Sequence, residues 1–145
     1  MKPEDFFRLT KVTDAIYQAD LARLQTILAE EQELRHALED LAERERNGEA
    51  AMAQDAGAIR QYGGDILWKA WIGRRREAIN LRLANVVARK LAAREMLTRS
   101  FGRNDVALRL LENARRDVRQ DRALTASIQD QSLMILRGRA PDIGS

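Results

Sequence analysis

The amino-acid sequence predicts an all-α protein, a long antiparallel coiled-coil hairpin of two unequal helices. Three observations lead there. Only eight of the 145 residues are Gly and two are Pro, too few for the closely spaced turns of a sandwich or barrel. Charged residues reach 32% in a composition dominated by Ala, Leu, Glu, Arg and Gln, which favours long helices. Apolar residues also recur at heptad spacing on both sides of one strong breaker, Gly63-Gly64.

The first helix is expected over residues 4–60. Pro3 suits a helix N-terminus, and residues 4–46 hold no Gly or Pro. Leu9, Val12 and Ile16 open an apolar stripe that continues through Leu24, Ile27, Leu34, Leu38 and Leu41. Glu31 fills the one skipped position between Ile27 and Leu34, so the heptad frame survives across it. The step from Ile16 to Leu24 slips the frame by about one residue, and Leu21 covers the gap. Such a narrow stripe, flanked by Glu30, Glu33, Arg35, Glu39 and Asp40, suits a two-stranded coiled coil better than a bundle helix. Asn47-Gly48 is a turn signal inside otherwise helical composition.

The reversal is expected at 61–65, with Asp65 capping the second helix by accepting a hydrogen bond from an early backbone N–H. The second helix is expected over 66–137. Ile72, Ile79, Val86, Ala93 and Ser100 lie seven apart, and Leu83, Val87, Leu97 and Phe101 widen the stripe. Gly102-Arg103-Asn104-Asp105 marks a weak point where the helix either kinks or continues, since one Gly costs only ~1 kcal/mol against Ala. The pattern resumes at Val106, Leu110, Leu111, Ala114, Val118, Thr125, Ile128 and Ile135. Gly138 and Pro141 end it, leaving a frayed tail at 138–145.

A three-helix bundle with breaks near 47–64 and 102–105 is the alternative architecture. Residues 112–123 argue against it, because they hold a single large apolar side chain, Val118. The hairpin, one domain over 1–145, would have arms of roughly 85 and 107 Å at ~1.5 Å per residue. Charge supports the pairing. Residues 1–60 carry 13 acidic and 8 basic side chains, whereas 66–122 carry 15 basic and 6 acidic, so an acidic helix can lie on a basic one.

Little in the sequence suggests chemistry. There is no Cys and one His, His36, so thiolate sites, disulfides and paired-imidazole sites are ruled out. No phosphate-cradling glycine loop is present, and the acids are spaced as solvated helix faces. We therefore expect no catalytic residues, no metal and no cofactor. The N-terminus lacks a secretory signal pattern and no 18-residue apolar run occurs, so a cytoplasmic protein is the default expectation. Arg74-Arg75-Arg76 and the arginines beyond would attract phosphates. They surround the helix, however, with few aromatics between them for base stacking, so nucleic acid is a third reading only.

The most informative segment is Ile66-Leu67-Trp68-Lys69-Ala70-Trp71-Ile72. Both tryptophans sit here, three apart. They either plug the end of the hairpin or anchor a partner, and one packed inward with the other projecting would satisfy both. Phe6-Phe7 is expected to pack on the second helix near 124–136 or to dock into a partner.

The segment Trp71-Ile72-Gly73-Arg74-Arg75-Arg76-Glu77-Ala78-Ile79 resembles, without gaps, the start of the second helix in the flagellar and type III secretion stalk family typified by FliJ. An aromatic–Ile pair and a later Ala-Ile pair coincide, and the likeness in helix lengths and break extends over most of the chain. Arg75 and the intrahelical Gly73 depart from that family's pattern. The resemblance implies a non-enzymatic stalk similar to the coiled coil of a rotary-ATPase gamma subunit. Its implied partners are the hexameric export ATPase, whose assembly it promotes, the membrane-embedded export gate, and export chaperones. It would work in the cytoplasm and meet the membrane only indirectly. The gate-contact face carried over by the resemblance is Trp71, Arg75, Ala78 and Arg82, with Trp68 beside it. A generic coiled-coil scaffold or adaptor is the alternative function.

Overall fold

The structure is a computed structural model and describes residues 1–54 and 63–138. It is an all-α helical hairpin of two helices, α1 (Pro3–Gln54) and α2 (Gly64–Gly138), 52 and 75 residues long. Residues 55–60 of the expected first helix, 61–62 of the expected reversal and 139–145 of the expected tail lie outside the described residues.

Local chemistry explains each helix start. In α1, Lys2 supplies the carbonyl that accepts from the Asp5 N–H (3.0 Å), Pro3 occupies the first turn, and the Lys2 N–H donates back to Asp5 Oδ2 (3.2 Å). In α2 the residue before the helix is Gly63, not Asp65. Its φ of 68° is a backbone conformation glycine adopts freely, and its carbonyl accepts the first helical bond from the Leu67 N–H (3.2 Å). Asp65 lies inside the first turn, where Oδ1 accepts from the Ile66 N–H (2.9 Å) and its charge suits the helix dipole.

Among the described residues, the breaks of the alternative architecture are absent. Helix α1 runs through Asn47-Gly48 to Gln54, and α2 runs through Gly102–Asp105. A single glycine is a small penalty beside a seam that buries a side chain every three or four residues. The structure is the expected hairpin rather than the alternative three-helix bundle.

The chain packs as two units. The first is Gln18–Arg99. Its core is the seam expected from the sequence: Leu24, Ile27, Leu34 and Leu41 on α1 against Ile72, Ile79, Val86 and Ala93 on α2. Three ion pairs cross between the helices: Arg89 to Glu30 (2.9 Å), Lys90 to Glu31 (3.0 Å) and Arg76 to Glu45. Glu45 lies 14 residues after Glu31 on α1 while its partner Arg76 lies 14 before Lys90 on α2, the opposite order that an antiparallel pair requires, and the three pairs realise the acidic-on-basic pairing.

Glu31 is itself buried in this seam. Its carboxylate accepts from Arg35 (2.8 Å) one turn along α1 and from Lys90 (3.0 Å) across the interface. Hydrogen bonds from Arg35 and then Lys90 hold its pKa below the usual carboxylate range, against the opposing effect of desolvation. A depressed folded-state pKa means that the carboxylate's contribution is complete above the ordinary range. It fades as pH falls through the lowered value. Glu31→Gln should therefore narrow its stability gap to the parent on acidification, which urea midpoints measured between pH 7 and pH 2 will read. A gap independent of pH would contradict the linkage.

The second unit joins Met1–Tyr17 to the described part of Ser100–Ser145. Here the seam is mixed. Thr10 and Ser100 are buried beside Ala107 and Leu111, and the Thr13 hydroxyl lies 2.9 Å from Asn104 Oδ1. The Tyr17 and Phe101 rings meet at 5.8 Å. The expected stripe of Leu9, Val12 and Ile16 is not the seam, since all three are exposed. The heptad frame instead runs without a slip from Pro3 through Phe6, Thr10, Thr13, Tyr17 and Asp20 into Leu24. Four polar or amphipathic residues keep the frame, and the aliphatic residues flank it.

The start of α1 shares a groove with Arg115, Val118, Arg119 and Arg122. Residues 119–138 are exposed throughout, so Phe6 and Phe7 do not pack on 124–136. The reason is length: α2 outruns α1 by about 20 residues. Phe6 is half-buried at a frame position, and Phe7 lies exposed beneath the Lys11 ammonium, 5.1 Å from the ring centroid.

Candidate partner-binding face

The face begins with Trp68. Its ring lies half-buried over Gly48 of α1, and a Cβ built at Gly48 would come 2.8 Å from it. Gly48 is thus where α1 makes room for the indole rather than where α1 turns. Trp68 Nε1 is buried and meets no acceptor among the described residues. One helical turn on, Trp71 stacks against Trp68 at 5.6 Å and 21° and remains 41% exposed. Of the two tryptophans, Trp68 therefore packs inward on α1 while Trp71, one turn on, projects toward solvent.

Arg75, Ala78 and Arg82 follow, all exposed. The seam explains their position. From Ile72 to Val118 the covered residues of α2 advance by alternating steps of four and three. Trp71, Arg75, Ala78 and Arg82 fall on positions that flank this seam on one side. The structure brings all four onto one solvent-facing stripe. Trp71 and Arg75 also border a shallow groove of about 240 Å³ against Ala37, Asp40, Leu41 and Arg44 of α1, with Ile79 on its floor. Neither Arg75 nor Arg82 makes an ion pair among the described residues, whereas their neighbour Arg76 is turned to Glu45. The stripe therefore offers an aromatic plane and two guanidinium groups without an ion pair among the described residues, with the small side chain of Ala78 between them.

Sequence reasoning missed the α1 side of this groove. Ala37 and Arg44 occupy the matching flank of the α1 frame, and Asp40 lies beside it, so extending the heptad assignment to flank positions would have found them. It also missed an aliphatic face in the terminal unit. There Leu9 of α1 and Val106 and Leu110 of α2 border an open groove of about 420 Å³. Among the described residues no group of three acidic or imidazole side chains could hold a metal ion. No helix among them is long and apolar enough to cross a membrane.

The class that fold and face define is a two-helix coiled-coil hairpin with an exposed aromatic and basic stripe. No family model, curated protein or solved structure matches the chain.

Proposed function

We propose that this protein is a non-enzymatic stalk or adaptor of a flagellar or type III protein-export ATPase. It promotes assembly of the ATPase hexamer and couples it to the export gate from the cytoplasmic side of the membrane. The observation that carries the reading is the exposed stripe of Trp71, Arg75, Ala78 and Arg82 on a hairpin of two long helices. The likeness of residues 71–79 to the FliJ family supplies the partners. Exposed Trp and Arg dominate binding energy at interfaces more often than other residue types, and a hairpin fixed by heptad packing presents them at a constant angle.

The test has two arms. Adding the protein to a purified export ATPase should raise the rate of ATP hydrolysis and the hexamer fraction. Trp71→Ala should weaken binding to the export-gate cytoplasmic domain by roughly 30-fold, the scale of a hot-spot truncation. Helical circular dichroism should stay unchanged, because Trp71 is partly outside the seam. No effect on the ATPase, together with capture of an unrelated scaffold, would favour the generic adaptor. A steep salt dependence of duplex-DNA binding would favour the nucleic-acid reading instead.

A further inference from the structure

Two uncovered apolar features lie in the unit formed by the chain termini, and they lie on the same side of α2. The first is the open face made by Leu9, Val12 and Ile16 of α1 with Val106 and Leu110 of α2, all exposed. The second is the stretch of α2 that runs past the start of α1, where Leu124, Ile128, Met134 and Ile135 share one arc and are exposed. An amphipathic helix without a partner and a groove without an occupant are complementary, yet within one chain they cannot meet. Both belong to the same straight run of α2.

We infer that a second copy of this chain covers both, each copy laying residues 124–135 into the groove of the other around a two-fold axis. Surface area decides this arrangement over its rivals. The exposed fractions of the nine side chains amount to about five whole side chains per protomer. A fully buried aliphatic side chain corresponds to roughly 60–120 Å² at the usual transfer coefficient. The reciprocal arrangement thus covers about 300–600 Å² per protomer, and it alone of the three can reach the lower edge of standard interfaces, ~1,200 Å² in total. Pairing the two projecting ends alone, or the two grooves alone, covers about half of that and falls short.

The register follows from the helices. Within one chain Thr13 lies opposite Asn104, so Leu9 and Val12 lie near positions 108 and 105 of α2. An antiparallel α2 pair centred between Val118 and Arg119 sets Leu110 between Leu124 and Ile128 of the second copy, and Val106 between Ile128 and Ile135. Leu9, Val12 and Ile16 then flank the inserted helix from the α1 side. At the centre Asp117 faces Gln120, so no like charges meet on the axis. The symmetry is closed, because each copy gives one helix end and accepts one. This interface is separate from the Trp71 face and does not rest on the function proposed above.

The test exploits the absence of cysteine from the chain. Sedimentation equilibrium of the full chain should show a dimer with a Kd of ~10 µM or tighter. Leu110→Glu and Ile128→Glu should each weaken it at least ~100-fold, since a charge would enter an apolar contact, with helical circular dichroism unchanged. Mixing Leu110→Cys with Ser127→Cys under mild oxidation should trap a covalent heterodimer, while either variant alone should not crosslink. A monomer at ~100 µM, a dimer that survives either glutamate, or crosslinking of Ser127→Cys with itself would overturn the arrangement.

Discussion

Ile72→Ala should lower the free energy of unfolding by about 2–4 kcal/mol, the largest loss we expect from any single truncation in this chain. Ile72 is 1% exposed and belongs to the cluster formed with Leu41 and Ile79. Truncation removes transfer energy and leaves a cavity that two long, stiff helices cannot readily close. A loss of this size should appear as a fall of roughly 10 °C in the thermal midpoint for a chain of this length. Its neighbour Trp71 provides the contrast. The two residues are adjacent in sequence and 100° apart around the helix, so one variant should unfold early and bind normally while the other should do the reverse. Thermal denaturation followed at 222 nm, run beside the gate-binding assay, separates them. Equal stability losses for both would place Trp71 in the seam.

The second large effect has the opposite sign. Replacing Thr13 and Asn104 together by leucine should stabilise the protein by about 1–2 kcal/mol. These residues face each other in the terminal unit, with the Thr13 hydroxyl 2.9 Å from the Asn104 side chain and the Thr10 carbonyl 3.1 Å away. A polar pair in a partly buried seam roughly balances desolvation against hydrogen bonding, whereas two aliphatic side chains there add burial outright. Either single change should give less than half the gain, because it leaves one polar group facing hydrocarbon. A double-mutant cycle in guanidinium chloride measures the coupling directly. An additive cycle with two neutral singles would show that the pair is solvated.

These two sites mark where the fold was legible and where it was not. In the first unit the seam residues expected from the heptad spacing are buried or half-buried: Leu24, Ile27, Leu34, Leu41, Ile72, Ile79, Val86 and Ala93 are buried, Leu38, Leu83, Val87 and Leu97 half-buried, and Glu31 is buried at a position where apolar character fails. The frame could be read there because hydrophobicity and position coincide. Between Pro3 and Tyr17 they do not. Thr10 and Thr13 hold the seam while Leu9, Val12 and Ile16 stand outside it, so a reading that follows aliphatic residues selects the wrong side of the helix and infers a slip that does not exist. The Asn47-Gly48 turn signal lies inside the expected first helix, and the structure gives the glycine another use. Asn47-Gly48 has the composition of a turn, but the glycine serves the indole of Trp68, a contact between residues 20 apart that no local pattern contains. At the candidate face the spacing of Trp71, Arg75, Ala78 and Arg82 sufficed to place them on one stripe. Which side of the seam that stripe flanks, and that Arg44 and Asp40 border it, became visible only once both frames were aligned.

The charged triad at the centre of the seam sets the alignment of the two helices. Heptads repeat, so two such helices could in principle slide past one another by seven residues and still interdigitate. Here that slide would bring Glu31 opposite Leu83 or Leu97, and Lys90 opposite Leu24 or Leu38, stranding both charges in hydrocarbon. Glu31 and Lys90 therefore work as an indexing pin. A shift of one helix along the other would have to break that pair, so the register that sets the Trp71 stripe beside Asp40 and Arg44 is fixed by the same two charges.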